Sequence, residues 1–323
     1  MASIFIVGAG FSLAANAQYA SANQQIAIRY PLASDLGAEC FGTFWNPAVG
    51  VEASFEAALQ AGNREPITKL VKLIQAADYY LGSAEARDSD TVYGKLLLRF
   101  PGAQFISYNY DSLLEQILLQ KGLWNPRDGF GVPVEIGSDS PQHESPSATL
   151  VIHLHGSVLL YPVGFSWQRT HYKNTLLMTS RAEPKFVFDP NNLGYCFNPF
   201  TRVPPKLGHR NPEERVIVPV PDKRKALRDN YTQPVFARAR ALLNTADLII
   251  AIGYRFAECD YSSFEPLLRS ISGEQVPLWV VAPDAAEVAR RLRKLYPYLQ
   301  VRPLPATFQG WAEADFALVE TYP

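Results

Sequence analysis

The sequence predicts an α/β protein built on a doubly wound, mostly parallel sheet. Two observations carry this: several short apolar runs are continuous rather than alternating, and helical patterns separate most of them. A continuous Ile/Val/Leu run suits a strand buried on both faces, and strands separated by helices imply parallel pairing through crossovers.

The strands are read, in order, at 3–8 (SIFIVG), 103–108 (AQFISY), 149–156 (TLVIHLHG), 247–254 (DLIIAIGY), 277–283 (PLWVVAP) and, more faintly, 299–304 (LQVRPL). Helical patterns are read at 54–81, 91–99, 110–121, 233–245, 262–271, 284–295 and 308–320. The fourth residue type to matter is glycine or a polar side chain closing each run, because an open parallel sheet binds ligands outside the carboxyl ends of its strands. Two stretches break the rhythm. Residues 35–98 insert helices between the first two strands, and 157–232 form a long segment rich in Pro, Asn and aromatics, a length that implies a small subdomain or lid. The expectation is one Rossmann-like domain over 1–323 with two insertions, without internal repeats.

Thirty basic against thirty-one acidic side chains leave a formal net charge of −1, so the overall field favours neither nucleic acid nor an anionic membrane. No run is long enough to span a bilayer and no basic leader is seen, so a cytoplasmic protein is expected. Cys40, Cys196 and Cys259 form no CxxC pair, which argues against a disulfide framework or a cysteine zinc site. The basic runs DKRKALR and RRLRK are read as solvated faces.

The strand ends read Gly8-Ala9-Gly10-Phe11-Ser12, Asn109-Tyr110-Asp111, His155-Gly156-Ser157, Gly253-Tyr254-Arg255 and Pro283-Asp284. The first is either a phosphate cradle or a tight connection, since GAG lacks the third glycine of GxGxxG. Asn109 closes a buried strand, where an amide needs a partner. Asp111 stands where an N-cap would begin a helix, so it is either a cap or a ligand group. The strand period puts His153 and His155 on one face. His155, beside a glycine, suits a general base, and His153 a structural place deeper in the sheet. An HxH pair can also hold a metal, but His143, His171 and His209 all fall in loops, and no metal is expected.

The ordered set GAGFS, YNYD, LHGS, VIVPVPDK and ADLIIAIGYRFAECD resembles the sirtuin family, and more closely its zinc-less, defence-associated bacterial branch of NAD-consuming domains. The resemblance covers most of the sheet and neither insertion. It implies that Ala9, Gly10 and Ser12 line the NAD phosphates, that Asn109 and Asp111 hold the nicotinamide ribose and a water, and that His155 is the catalytic base. Gly253 and Tyr254 would pack on the phosphates and adenosine ribose, and Ala282 to Asp284 would meet the adenine end. Gly8, Phe11, Tyr108, Gly156, Ser157 and Arg255 complete the expected binding set. The two CxxC pairs of sirtuin deacylases are missing, Tyr30-Pro31-Leu32 is the nearest equivalent of their AGIPDFR segment, and Arg255 replaces the branch's usual serine. Arg255 is a phosphate contact or an ion pair.

The resemblance therefore implies an NAD+ glycohydrolase, with NAD+ as substrate, acting as a regulated NAD-depleting effector in antiphage defence. A homo-oligomer is expected, or a sensor or activator protein encoded elsewhere. The alternatives are a catalytically silent NAD- or ADP-ribose-binding subunit and, third, a protein deacylase.

Overall fold

The computed structural model describes residues 2–20, 28–82, 84–85, 88, 90–132, 134–136, 146–162, 186–188, 216–217, 232–271 and 276–318. Its strands are β1 (Ser3–Val7), β2 (Gln104–Ser107), β3 (Val134–Ile136), β4 (Val151–His153), β5 (Gly156–Ser157), β6 (Leu160–Pro162), β7 (Phe186–Phe188), β8 (Val216–Ile217), β9 (Leu248–Ile252), β10 (Pro277–Val281) and β11 (Gln300–Leu304). The α-helices are α1 (Ala9–Ala20), α2 (Ala33–Phe41), α3 (Val51–Gln60), α4 (Glu65–Ala77), α5 (Val92–Arg99), α6 (Leu113–Gln120), α7 (Thr232–Asn244), α8 (Tyr261–Leu268), α9 (Ala285–Leu295) and α10 (Phe308–Glu313).

Six strands form one sheet in the order β11-β10-β9-β1-β2-β4, every neighbouring pair parallel. These are the six runs read from the sequence. The reason is visible in burial: all five residues of β1 and of β9 are buried, as helices on both faces demand. The chain lays down β1, β2 and β4 in one direction, then returns beside β1 with β9 and continues the other way. The sheet thus reverses its direction of growth between β1 and β9, the position where open α/β sheets hold ligands.

Three readings differ from the structure. The helix read at 54–81 is two helices: Gly62 (φ +73°) ends the first, and Asn63 accepts from the Glu65 amide to start the second. Helix α1 was absent from the helical patterns, because its run of small residues carries little amphipathic period. The strand read at 149–156 ends at His153, so the period of two does not carry on to His155.

The helices of the first insertion pack around a core of their own, in which Phe55, Ile67, Leu70, Val71 and Ile74 meet Val158. Of the second insertion, β6 pairs antiparallel with β7, which pairs parallel with β3, while β5 pairs antiparallel with β8. The rest of the expected lid, with His171, His209, Cys196 and the DKRKALR run, lies outside the described residues, as does His143. Among the described residues no helix is long and apolar enough to cross a membrane.

Candidate functional site

The glycines after β1 and β9 are explained first by each other. The Gly8 amide donates to the Ile252 carbonyl and the Gly10 amide to the Gly253 carbonyl, at 3.0 and 3.2 Å. A Cβ on Gly253 would lie 2.4 Å from Gly10 Cα, and the Gly253 φ of +59° disfavours any other residue. The two loops therefore touch backbone to backbone at the point where the sheet reverses. The tight-connection reading of GAG is the one these contacts satisfy: the amides of Gly8, Gly10 and Phe11 all donate to backbone carbonyls.

Beside this junction, Asn109 leaves β2 and is fixed through its amide nitrogen, which donates to the Gly8 carbonyl (3.0 Å) and to Ser12 Oγ (2.9 Å). A carbonyl can only accept, so the amide orientation is determined, and Oδ1 is what Asn109 offers a ligand. Ser12 passes its own hydrogen to Asp111 Oδ2 at 2.8 Å, which commits that hydroxyl to the Asn109–Asp111 network rather than to a phosphate. Asp111 Oδ1 also accepts from the Leu113 amide at the start of α6, at 3.4 Å, so it serves partly as a cap. Burial pushes the Asp111 carboxyl up to about 6, against the pull of the Ser12 hydrogen bond.

Beneath this layer His153 is buried, with Nε2 against the Glu115 carboxylate and Nδ1 2.9 Å from the Asn109 carbonyl oxygen. Burial alone would lower its pKa, but Glu115 and that carbonyl more than offset this and raise it. Asp78, fully buried, accepts from Tyr30 Oη, the Ser112 amide and Ser112 Oγ. Burial and the nearby Asp111 charge raise its pKa well above the usual carboxylate range.

His155 lies past the end of β4, among neighbours different from those of His153. Its ring meets Tyr108 edge-on, centroids 4.9 Å apart, and its Nε2 is 3.5 Å from Asp260 Oδ1. Tyr108 stacks on Tyr254 at 3.9 Å, and Tyr254 Oη donates to Asp260 Oδ2 at 3.2 Å. Arg255 is an ion pair in this structure, Nε to Asp284 Oδ2 at 2.9 Å, though largely exposed. The loop carrying it passes through Phe256 with φ +51°, a costly conformation for a bulky residue. Arg291 stabilises it by donating to the Arg255 and Phe256 carbonyls, and Arg293 likewise binds the Val301 carbonyl. RRLRK is therefore not simply a solvated face: two of its arginines fasten loop and strand backbone.

Of these groups, Gly8, Gly10, Ser12, Asn109, Asp111, His155, Tyr254 and Asp260 line one cavity of about 610 Å³, while His153, Glu115 and Asp78 lie behind its wall. Every site residue expected from the sequence lines it except Phe11, Gly156 and Ser157. Phe11 is buried between Tyr93 and Phe308, and Gly156 and Ser157 are taken up by the pairing of β5 with β8. Asp260, the last residue of the ADLIIAIGYRFAECD block, is not in the expected set, and its place against His155 follows from the turn that brings it back. The cavity is also walled by Tyr30 and by Leu36, Val51, Phe55, Leu70 and Ile74 of the first insertion. Their helical spacing announced an apolar face without saying that part of it lines a ligand space.

No family model matches this sequence, and no curated protein matches it.

Proposed function

We propose that this protein hydrolyses NAD+ at the bond between nicotinamide and ribose. The observation that supports the reading best is the convergence, in one cavity, of an immobilised amide, a buried imidazole and strand ends from Gly8 to Asp284. Asn109, with its N–H groups engaged by Gly8 and Ser12, has an acceptor oxygen suited to orienting a water. His155 would take that water's proton as its oxygen bonds to the anomeric carbon. The glycosidic bond breaks with its electron pair going to the pyridinium nitrogen, so the leaving group departs neutral. Asp111 is suited to countering the ring's positive charge before that step, and the oxocarbenium charge during it. The resemblance to the defence-associated sirtuin-like branch supplies the further proposal that activity is regulated and depletes NAD+ during phage infection, in a homo-oligomer or with a sensor protein.

Nicotinamide release from NAD+ by the purified chain tests the reading, at low and high protein concentration. Asn109→Ala and His155→Ala should each lower turnover by about 10²-fold or more with folding retained, a magnitude typical of lost general-base or positioning groups. Tight NAD+ binding without release at any concentration would instead identify a silent binding subunit.

A further inference from the structure

We infer that Asp260 is the positioning residue for His155, so that Tyr254, Asp260 and His155 form a relay behind the reacting atoms. This rests on the reading of His155 as the base, and adds a group outside the expected catalytic and binding set.

The geometry has the parts such a relay needs. A base is most effective when a third group fixes its ring and stabilises the cation it becomes. Asp260 is buried, and its Oδ1 lies 3.5 Å from His155 Nε2, within ion-pair range and longer than a closed hydrogen bond. Contacts of this kind tighten when substrate fills the site. Its second oxygen accepts from Tyr254 Oη at 3.2 Å. The backbone of Asp260 is fixed too: its amide donates to the Ala257 carbonyl at 2.9 Å, and its own carbonyl accepts from Ser263 Oγ at 2.7 Å. Upstream, the Phe256 turn is held by Arg291 and by packing of that ring against Tyr254 and Phe264. The strained turn thus has a purpose: it folds the chain back so that an acid eight residues past the end of β9 faces a histidine two residues past the end of β4.

Tyr108, edge-on, and Tyr110, tilted at 6.3 Å, also stand against the imidazole. Burial pushes the Tyr108 hydroxyl further above its usual range, so it adds no charge at neutral pH. The carboxylate of Asp260 is placed to stabilise an imidazolium here, with Nε2 toward the acid.

The test uses Asp260→Asn, which keeps shape and removes charge, Asp260→Glu as the conservative rescue, and Tyr254→Phe. In nicotinamide release from NAD+, Asp260→Asn should lower kcat by about 10²-fold with KM changed less than about threefold, and move the acidic limb of the kcat/KM profile to lower pH. Asp260→Glu should recover at least about a tenth of the wild-type rate, and Tyr254→Phe should lose less than about tenfold. Independently of turnover, NMR titration of the five histidines, with His155 assigned through His155→Gln, should show its ring titrating at lower pH in Asp260→Asn than in the wild type. An unchanged His155 titration would overturn the relay whether or not the protein is active. A shifted titration in a wild-type protein that never releases nicotinamide would leave the relay standing and remove the NAD+ hydrolase reading instead.

Discussion

Asp111 is a carboxyl group that ionises only near pH 6, because burial withholds the water that would solvate its charge. A cationic ligand ring placed against it restores that lost stabilisation, so binding pulls a proton off the acid. In the unliganded protein below about pH 6 the carboxyl is mostly neutral, and a cation gains little there. NAD+ affinity should therefore fall by up to about tenfold for each pH unit below 6, with protons released on binding. Calorimetry in two buffers of different ionisation enthalpy measures that release. Asp111→Asn should flatten the profile, and a flat wild-type profile would remove Asp111 from contact with the ring. At this scale the sequence was informative for Asn109 and His155, which owe their positions to local strand ends. It was less so for Ser12 and Asp260, whose partners lie 99 residues away and across the sheet, respectively. Neither distance has any signature in a local pattern.

The junction of β1 with β9 makes a sharp demand at the scale of elements, because two connections meet with no side chain between them. Gly253→Ala adds a Cβ 2.4 Å from Gly10 Cα in a left-handed conformation, whereas Gly102→Ala, at φ +76°, meets only open space. The second change measures backbone strain alone, roughly 1 kcal/mol. The first should cost at least about 2–3 kcal/mol more, read as a lower denaturant midpoint, and should weaken NAD+ binding by prising α1 from the sheet. Equal losses in the two variants would show that the close contact is unimportant. The six strands were readable because burial on both faces writes itself as unbroken apolar runs. Helix α1 was not, since a helix of small residues packs closely without needing a hydrophobic stripe. The strand period was read as putting His153 and His155 on one face, but β4 stops at His153, two residues short of His155.

For the whole molecule, four buried groups act in one direction. Asp78, Asp111, Glu85 and His153 all hold protons more tightly folded than unfolded, chiefly through burial for the three acids and through Glu115 for the histidine. Their contribution to stability is full below about pH 4, where the unfolded acids are also protonated, and is lost as pH rises through about 6 for Asp111 and about 8 for Glu85. The unliganded melting temperature should therefore be lower at pH 8.5 than at pH 6, by on the order of a few degrees, with Glu85→Gln and Asp111→Asn each reducing the difference. Scanning calorimetry checks this, and a melting temperature that rises over that interval would contradict it.

Asp78 has a further consequence for motion. One carboxyl group fastens Tyr30, 48 positions before it, and Ser112, 34 positions after it, while standing at the end of the helical layer that walls the cavity. Swinging those helices outward from this end would have to break three buried hydrogen bonds, those from Tyr30 Oη, the Ser112 amide and Ser112 Oγ.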